Sequence, residues 1–242
     1  FVNHTRDRLV AEARFLRAAY YFELAKRMGG VPLVTESLTY DYSGDPTYLQ
    51  HPRKKEHEIY DFVLAELEGI KNALPDDANV KSRATKAAAL AIRSRAALYA
   101  GSIAKYGALR TPTVKTDGWE VGIPATMADG YYKIALDAAE EIIIGGKYDL
   151  YEKNPDNRSE NFASLFLDKD QNPEAIFVRD YKKPTVRQWW TQYSLPISMR
   201  ESTGNGSFNA TLNFVQLFEL VNGNEIKSLD VGTWKVNPTA YD

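Results

Sequence analysis

The sequence predicts a mainly all-α protein: a helical-repeat core with loop-rich decoration and a few short strands. Three observations carry this. Four long segments repeat apolar residues at helical spacing, their ends are marked by Gly or Pro, and beyond about Tyr148 sustained periodicity gives way to Gly, Ser, Asn and aromatic residues. The first helix covers about Thr5 to Met28. Its apolar face is expected from Leu9, Ala13, Leu16, Tyr20 and Leu24, widened by Phe15, Ala19 and Phe22, and Gly29-Gly30 stops it. Val31-Pro32-Leu33-Val34 then reads as extended, because Pro turns the residue before it away from helix.

A Tyr-, Gly- and Pro-containing loop, Tyr40 to His51, leads to a second helix of about Arg53 to Leu74, closed by Pro75, with Ile59, Phe62, Val63, Leu67, Ile70 and Leu74 on one face. The third helix, about Arg83 to Tyr106, is dense in Ala, which suits a helix packed closely on more than one side. An irregular stretch, Gly107 to Ala125, holds Trp119. The fourth helix, about Met127 to Ile144, has Tyr131, Ala135, Ala138, Ala139, Ile142 and Ile143 on its apolar face and ends at Gly145-Gly146. Further on, Asn161 to Phe166 reads as a helical turn, Ala175 to Val178 as a short strand, and Leu212 to Leu220 as an amphipathic segment. The first and fourth helices share a small-aromatic alternation suggestive of tetratricopeptide-type hairpins.

Composition narrows the function. The 242 residues carry 30 Lys+Arg and 32 Asp+Glu, a net charge of −2, so no basic field draws a nucleic acid. With no Cys there is no disulfide framework, thiolate metal site or thiol nucleophile. The longest uninterrupted apolar run, Ala87 to Ile92, is six residues, far short of a membrane span. Catalytic signatures are missing: there is no Gly-x-Ser-x-Gly elbow, and Gly204-Asn205-Gly206 is followed at position 209 by Asn, where a dinucleotide loop needs Gly. His4, His51 and His57 sit in polar surroundings. Asp168-Lys169-Asp170-Gln171-Asn172 opens like a calcium loop, but Pro173 and Arg179 stand where Gly and a bidentate Glu are required. No catalytic residue, cofactor or metal is assigned.

Binding chemistry rests on the aromatics, which make up 12% of the chain and cluster unevenly. Trp189, Trp190 and Tyr193 fall together in a segment without period, flanked by Arg187, Gln188, Gln192 and Arg200, and Trp119 lies in the central loop. A ring in a loop can stack on the apolar face of a sugar while amides and Arg hold its hydroxyls. It can equally anchor the loop to the core. Neighbours in extended chain point opposite ways, so one Trp of the pair is expected inward and one outward.

The first helix also carries a resemblance. Ala11-Glu12-Ala13-Arg14-Phe15-Leu16-Arg17-Ala18-Ala19-Tyr20-Tyr21-Phe22-Glu23-Leu24, with Met28-Gly29-Gly30-Val31-Pro32-Leu33-Val34, resembles the signature of the SusD/RagB family of surface nutrient-binding lipoproteins of Bacteroidetes. Arg83 to Ala89 with Arg95 to Gly101, Tyr132 to Glu140 with Gly146 to Leu150, Glu174 to Phe177, and Phe214 to Glu219 with Asn222-Gly223 follow in the family's order. The resemblance spans about residues 9 to 226. It implies an α-helical superhelix with tetratricopeptide-like hairpins in a single SusD-like domain, with residues 1–150 as helical-repeat core and 151–242 as a loop-rich, ligand-side segment. Family members are longer and begin with a lipoprotein signal whose Cys is acylated, so the resemblance implies a central portion, incomplete at both ends. It further implies non-catalytic capture of a glycan at the cell surface, delivered to a SusC-like TonB-dependent outer-membrane barrel beneath this protein as its lid. Peptide capture by a family member, and a helical-repeat scaffold, are the alternatives. Binding residues in the family vary with ligand, so Trp189, Trp190, Tyr193 and Trp119 stand on the chemical argument alone.

Overall fold

The computed structural model describes residues 3–109, 115–168, 172–181, 193–194, 211 and 214. Contacts divide the chain into two units, Phe1–Arg179 and Asp180–Asp242, and the helices named below all belong to the first. They are α1 (Asn3–Met28), α2 (Glu56–Ile70), α3 (Lys86–Tyr106), α4 (Ala128–Ile144) and α5 (Arg158–Leu167), with single 3-10 turns at 47–49, 71–73, 107–109 and 125–127. The mainly all-α class holds. Helix α1 packs on α2, α2 on α3, and α3 most extensively on α4, so one core runs through neighbours in sequence.

Local chemistry sets the helix ends. Thr85, fully buried, accepts the Ala88 N–H at 3.1 Å, so α3 starts at Lys86, three residues later than its periodicity suggests. At α2 the Glu58 carboxylate accepts the Lys55 N–H at 2.8 Å. Residues 53–55 stay extended because they are used elsewhere: the Lys54 N–H bonds the Val31 carbonyl at 3.1 Å. The Asn157 side chain accepts the Glu160 N–H at 3.1 Å, which lengthens the expected turn near 161–166 into α5.

The buried face of α1 is not the expected one. Ala11, Phe15, Ala18, Phe22 and Ala25 are buried, whereas Leu9, Leu16, Tyr20 and Leu24 are exposed. Both rows have helical spacing, so period alone does not choose between them. Charge does. Arg14 grips Glu66 of α2 through two bonds, 3.1 Å from Nε and 2.7 Å from Nη2, and Arg17 adds a third at 2.5 Å. That clamp turns the Ala row toward α2, where small side chains let the helices close. Glu12 is held by Arg8 at 3.0 Å and by Arg83, joining α1 to the approach of α3.

The α2 face follows its period: Ile59, Val63, Leu67 and Ile70 are buried, with Tyr60 beside them. On α3 the small residues Ala89, Ala96, Ala97, Ala100 and Gly101 are buried, and a Cβ on Gly101 would meet the Tyr132 ring of α4 at 3.0 Å. The Ser94 hydroxyl donates to the Ala135 carbonyl at 2.8 Å across the same contact. Helix α4 buries Tyr131, Ala135 and Ala138 but leaves Ile143 exposed. The Tyr131 hydroxyl donates to Asp61 of α2 at 2.7 Å, and burial together with that carboxylate pushes the phenol far above its ordinary range. Glu141 bridges Lys71 at 2.7 Å and Lys86 at 2.8 Å, tying α4 to α2 and α3.

Ala175–Val178 forms no strand, and no strand occurs among the described residues. The segment is a staple on the helical core: the Val178 N–H bonds the Lys81 carbonyl at 2.8 Å, and the Phe177 ring meets Phe15 edge-on at 5.4 Å. A short apolar run satisfies its burial this way without a ladder partner. Leu212–Leu220 lies outside the described residues apart from Phe214.

Two outcomes test this account. Hydrogen bonds from Arg14 and then Arg17 hold the Glu66 carboxyl below its usual 4.5. The stability it supplies is therefore present above that value and lost as pH falls through the lowered one. Urea midpoints of Glu66→Gln should lie below the parent's at pH 7, and the gap should narrow on acidification below about 4.5. Along α4, Glu141→Gln should behave in the same direction, because hydrogen bonds from Lys71 and Lys86 depress its carboxyl too.

Candidate functional site

Three backbone segments meet at the end of α1. Gly29, at φ +71°, ends the helix in the left-handed region, and Gly30 runs so close to the next segment that a Cβ would lie 1.8 Å from the Lys54 carbonyl oxygen. The Gly30 N–H donates to the Glu120 carbonyl at 2.5 Å. The Arg53 guanidinium caps the helix end, bonding the carbonyls of Gly30 at 2.7 Å and Met28 at 2.6 Å. The Tyr21 hydroxyl latches Val34, accepting its N–H at 2.8 Å and donating to its carbonyl at 3.0 Å. The extended segment Val31–Val34 is thus held at both ends.

Trp119 sits on this junction. Its carbonyl accepts the first N–H of α2, from Glu56, at 2.8 Å, and its own N–H closes a turn onto the Thr116 carbonyl at 3.1 Å. The Glu56 side chain, 5% exposed, reaches back to accept the Gly122 N–H at 2.5 Å. Trp119 adopts φ +63°, a conformation that disfavours a bulky residue and that the surrounding bonds impose. Its ring is half-buried with the Lys115 ammonium 5.9 Å from the centroid. The sequence showed an aromatic residue in a loop; the turn, the buried carboxylate and the cation over the ring emerge only from the folded chain.

Of the other candidates, Tyr193 is partly exposed in the second unit, and Trp189 and Trp190 lie outside the described residues. The calcium-like opening is differently engaged: Asp168 accepts the Tyr151 hydroxyl at 3.1 Å and pairs with Lys153. Among the described residues no cluster of three His, Asp or Glu side chains could hold a metal ion. Nor is any helix among them long and apolar enough to cross a membrane.

A second aromatic group, which sequence reasoning passed over as a loop, stands at Tyr40, Tyr42 and Tyr48. The Tyr40 and Tyr42 rings lie 5.2 Å apart, tilted at 60°. Their even spacing among polar residues gives no periodic signal, so only the structure shows that the rings share one place.

The described unit is thus a helical core closed by a glycine junction, with aromatic rings on its loops. Residues 2–98 match the SusD-like_3 family model, described as starch-binding associating with outer membrane. A SusD-like protein of Bacteroides fragilis is similar at 29% identity and TM-score 0.52, over 76% of this chain and 29% of that one. A SusD-like carbohydrate-binding protein of the same species matches at 21% identity and TM-score 0.61, over 97% of this chain and 38% of that one, a likeness of fold. No curated protein matches the chain. The sequence over residues 2–98 is thus similar to the SusD-like family, and the fold of most of the chain is similar to that of solved SusD-like proteins. The chain spans less than two-fifths of the length of either solved relative.

The junction makes a graded prediction. Glu56→Ala strands the Gly122 N–H and should cost about 1–3 kcal/mol in urea unfolding, while Glu56→Gln, which keeps an acceptor, should cost less. Gly29→Ala should cost more than the roughly 1–2 kcal/mol of its left-handed backbone, because a Cβ there would also lie 2.6 Å from the Glu120 carbonyl oxygen. Gly30→Ala should cost more still, because its clash is the closer one and is with backbone that must itself move.

Proposed function

We propose that this chain belongs to a non-catalytic protein that captures an oligosaccharide or polysaccharide at the outer surface of a bacterial cell. It passes the glycan to a SusC-like TonB-dependent outer-membrane transporter, over which it acts as a lid. In this reading it is a lipid-anchored surface protein of the outer membrane. The observation that carries the reading is the match of residues 2–98 to a starch-binding, outer-membrane-associated family, over the stretch that supplies Gly29, Gly30, Arg53 and Lys54 of the junction. The likeness of fold to a solved carbohydrate-binding protein supports it further. The helices supply the rigid support, and loops outside them hold the ligand.

Ligand contacts are assigned to Trp189, Trp190 and Tyr193 in the second unit and to Trp119 in the first. Stacked rings bind the C–H face of a pyranose with little regard to linkage, and flanking Arg and Gln side chains take its hydroxyls. No nucleic acid is a partner in this reading, since the net charge of −2 offers no field for one.

Isothermal titration of the purified protein against a panel of polysaccharides and a peptide pool tests this. Saturable binding to a glycan is expected, weakened at least about tenfold (~1.4 kcal/mol) by the paired Trp189→Ala and Trp190→Ala substitutions. Binding confined to peptides would overturn the ligand class, and sugar release from any polysaccharide would overturn the non-catalytic reading.

A further inference from the structure

The loop between Val34 and Arg53 leaves and returns to the helical core at adjacent points, and it is built almost entirely from its own bonds. The Tyr48 hydroxyl accepts the Asp41 N–H at 2.6 Å and lies 3.0 Å from the Asp41 carboxylate. That carboxylate accepts the Ser43 N–H at 3.0 Å, and the Tyr40 hydroxyl accepts the Gly44 N–H at 3.0 Å. The Asp45 carboxylate accepts both the N–H and the hydroxyl of Thr47, at 2.9 and 2.6 Å. With its polar groups bonded inward to one another, the loop turns its rings outward. Tyr42 is 88% exposed, Tyr48 49% and Tyr40 37%.

Folding does not account for Tyr42. Its ring is almost wholly in water, so burial contributes little, and its φ of +62° belongs to Gly or Asn rather than to a bulky side chain. Gly44, two residues on, shows the residue that such a conformation ordinarily selects. An exposed ring held at an unfavourable backbone, beside a second ring at 5.2 Å, is a presented surface. Its electrostatics restrict what it can meet. Residues 35–50 contain Glu36, Asp41 and Asp45 but neither Lys nor Arg, so the stretch that carries the rings offers a phosphate, sulfate or uronate only negative charge.

From this geometry we propose that Tyr40 and Tyr42 form a stacking platform for an uncharged glycan, its C–H face lying on the rings. The proposal rests on the glycan-capture reading and adds to it a second contact region and a selection against acidic polysaccharides.

The test titrates the whole protein and its Tyr42→Ala, Tyr42→Gly and Tyr42→Phe variants with starch, a β-glucan, xylan and mannan, and with polygalacturonate and alginate. The parent is expected to bind at least one neutral polymer and to ignore the acidic two. Affinity should fall about tenfold in Tyr42→Ala and Tyr42→Gly and stay within about twofold in Tyr42→Phe, which keeps the ring face. Thermal midpoints keep the result readable: Tyr42→Ala should melt with the parent, and Tyr42→Gly at the same temperature or above it. A parent that binds a neutral glycan equally well without the Tyr42 ring overturns the platform and leaves the capture reading standing. A parent that binds only the acidic polymers overturns the platform's selectivity and with it the assignment. A parent that binds none of the glycans overturns the capture reading itself, and the platform with it.

Discussion

The structure of the first unit depends on a place where no side chain fits. At Gly30 the backbone of α1's exit passes against Lys54, and the Gly30 N–H reaches Glu120, so three stretches distant in sequence share one contact. Any Cβ there would force the approach to α2 away from the helix it must follow. Arg53 completes the junction by taking the carbonyls that α1 leaves unpaired, and the positive charge suits the negative end of the helix dipole. From this point the direction of α2, the position of the Trp119 turn and the course of Val31–Val34 are all determined together.

The residues that carry the resemblance in the first helix are therefore structural. Arg14 and Arg17 clamp Glu66, Glu12 joins Arg8 to Arg83, Tyr21 latches Val34, and Phe15 and Phe22 fill the core. The ion pairs are partly shielded and geometrically specific, bidentate in the case of Arg14, which raises them above the small worth of an ordinary surface pair. None of these side chains is spare for a ligand. The exposed Tyr40 and Tyr42 rings stand apart from all of these on a loop, where a change of residue leaves the clamp and the junction untouched.

Much of the helical fold was legible because caps and stops are written in single residues. Thr85, Gly29 and the Pro after α2 mark ends regardless of tertiary context. The orientation of α1 was not legible: Leu9–Leu16–Tyr20–Leu24 and Phe15–Phe22 are both apolar rows, and the choice lies in Glu66, fifty residues away. The same limit hid the nature of Ala175–Val178, since a strand and a stapled extended segment present the same short apolar run. Trp119 was visible as a loop aromatic, but its pairing with Lys115 and its support from Glu56 require the junction to be folded. The three Tyr of the 35–52 loop were individually unremarked, because exposure is a property of the loop's internal bonding and not of their spacing.

Pinning of that loop has a consequence for how such a chain changes over time. Its two ends are fixed next to each other by the Lys54–Val31 hydrogen bond and the Tyr21–Val34 latch, so closure is enforced by the core and not by the loop's own sequence. Lengthening a closed loop costs little, about 0.6 kcal/mol for each doubling. Insertions, deletions and exchanges between the two anchors are then nearly free of penalty to the helices. A lineage could rewrite this stretch wholesale, and the scaffold beneath would register almost none of it.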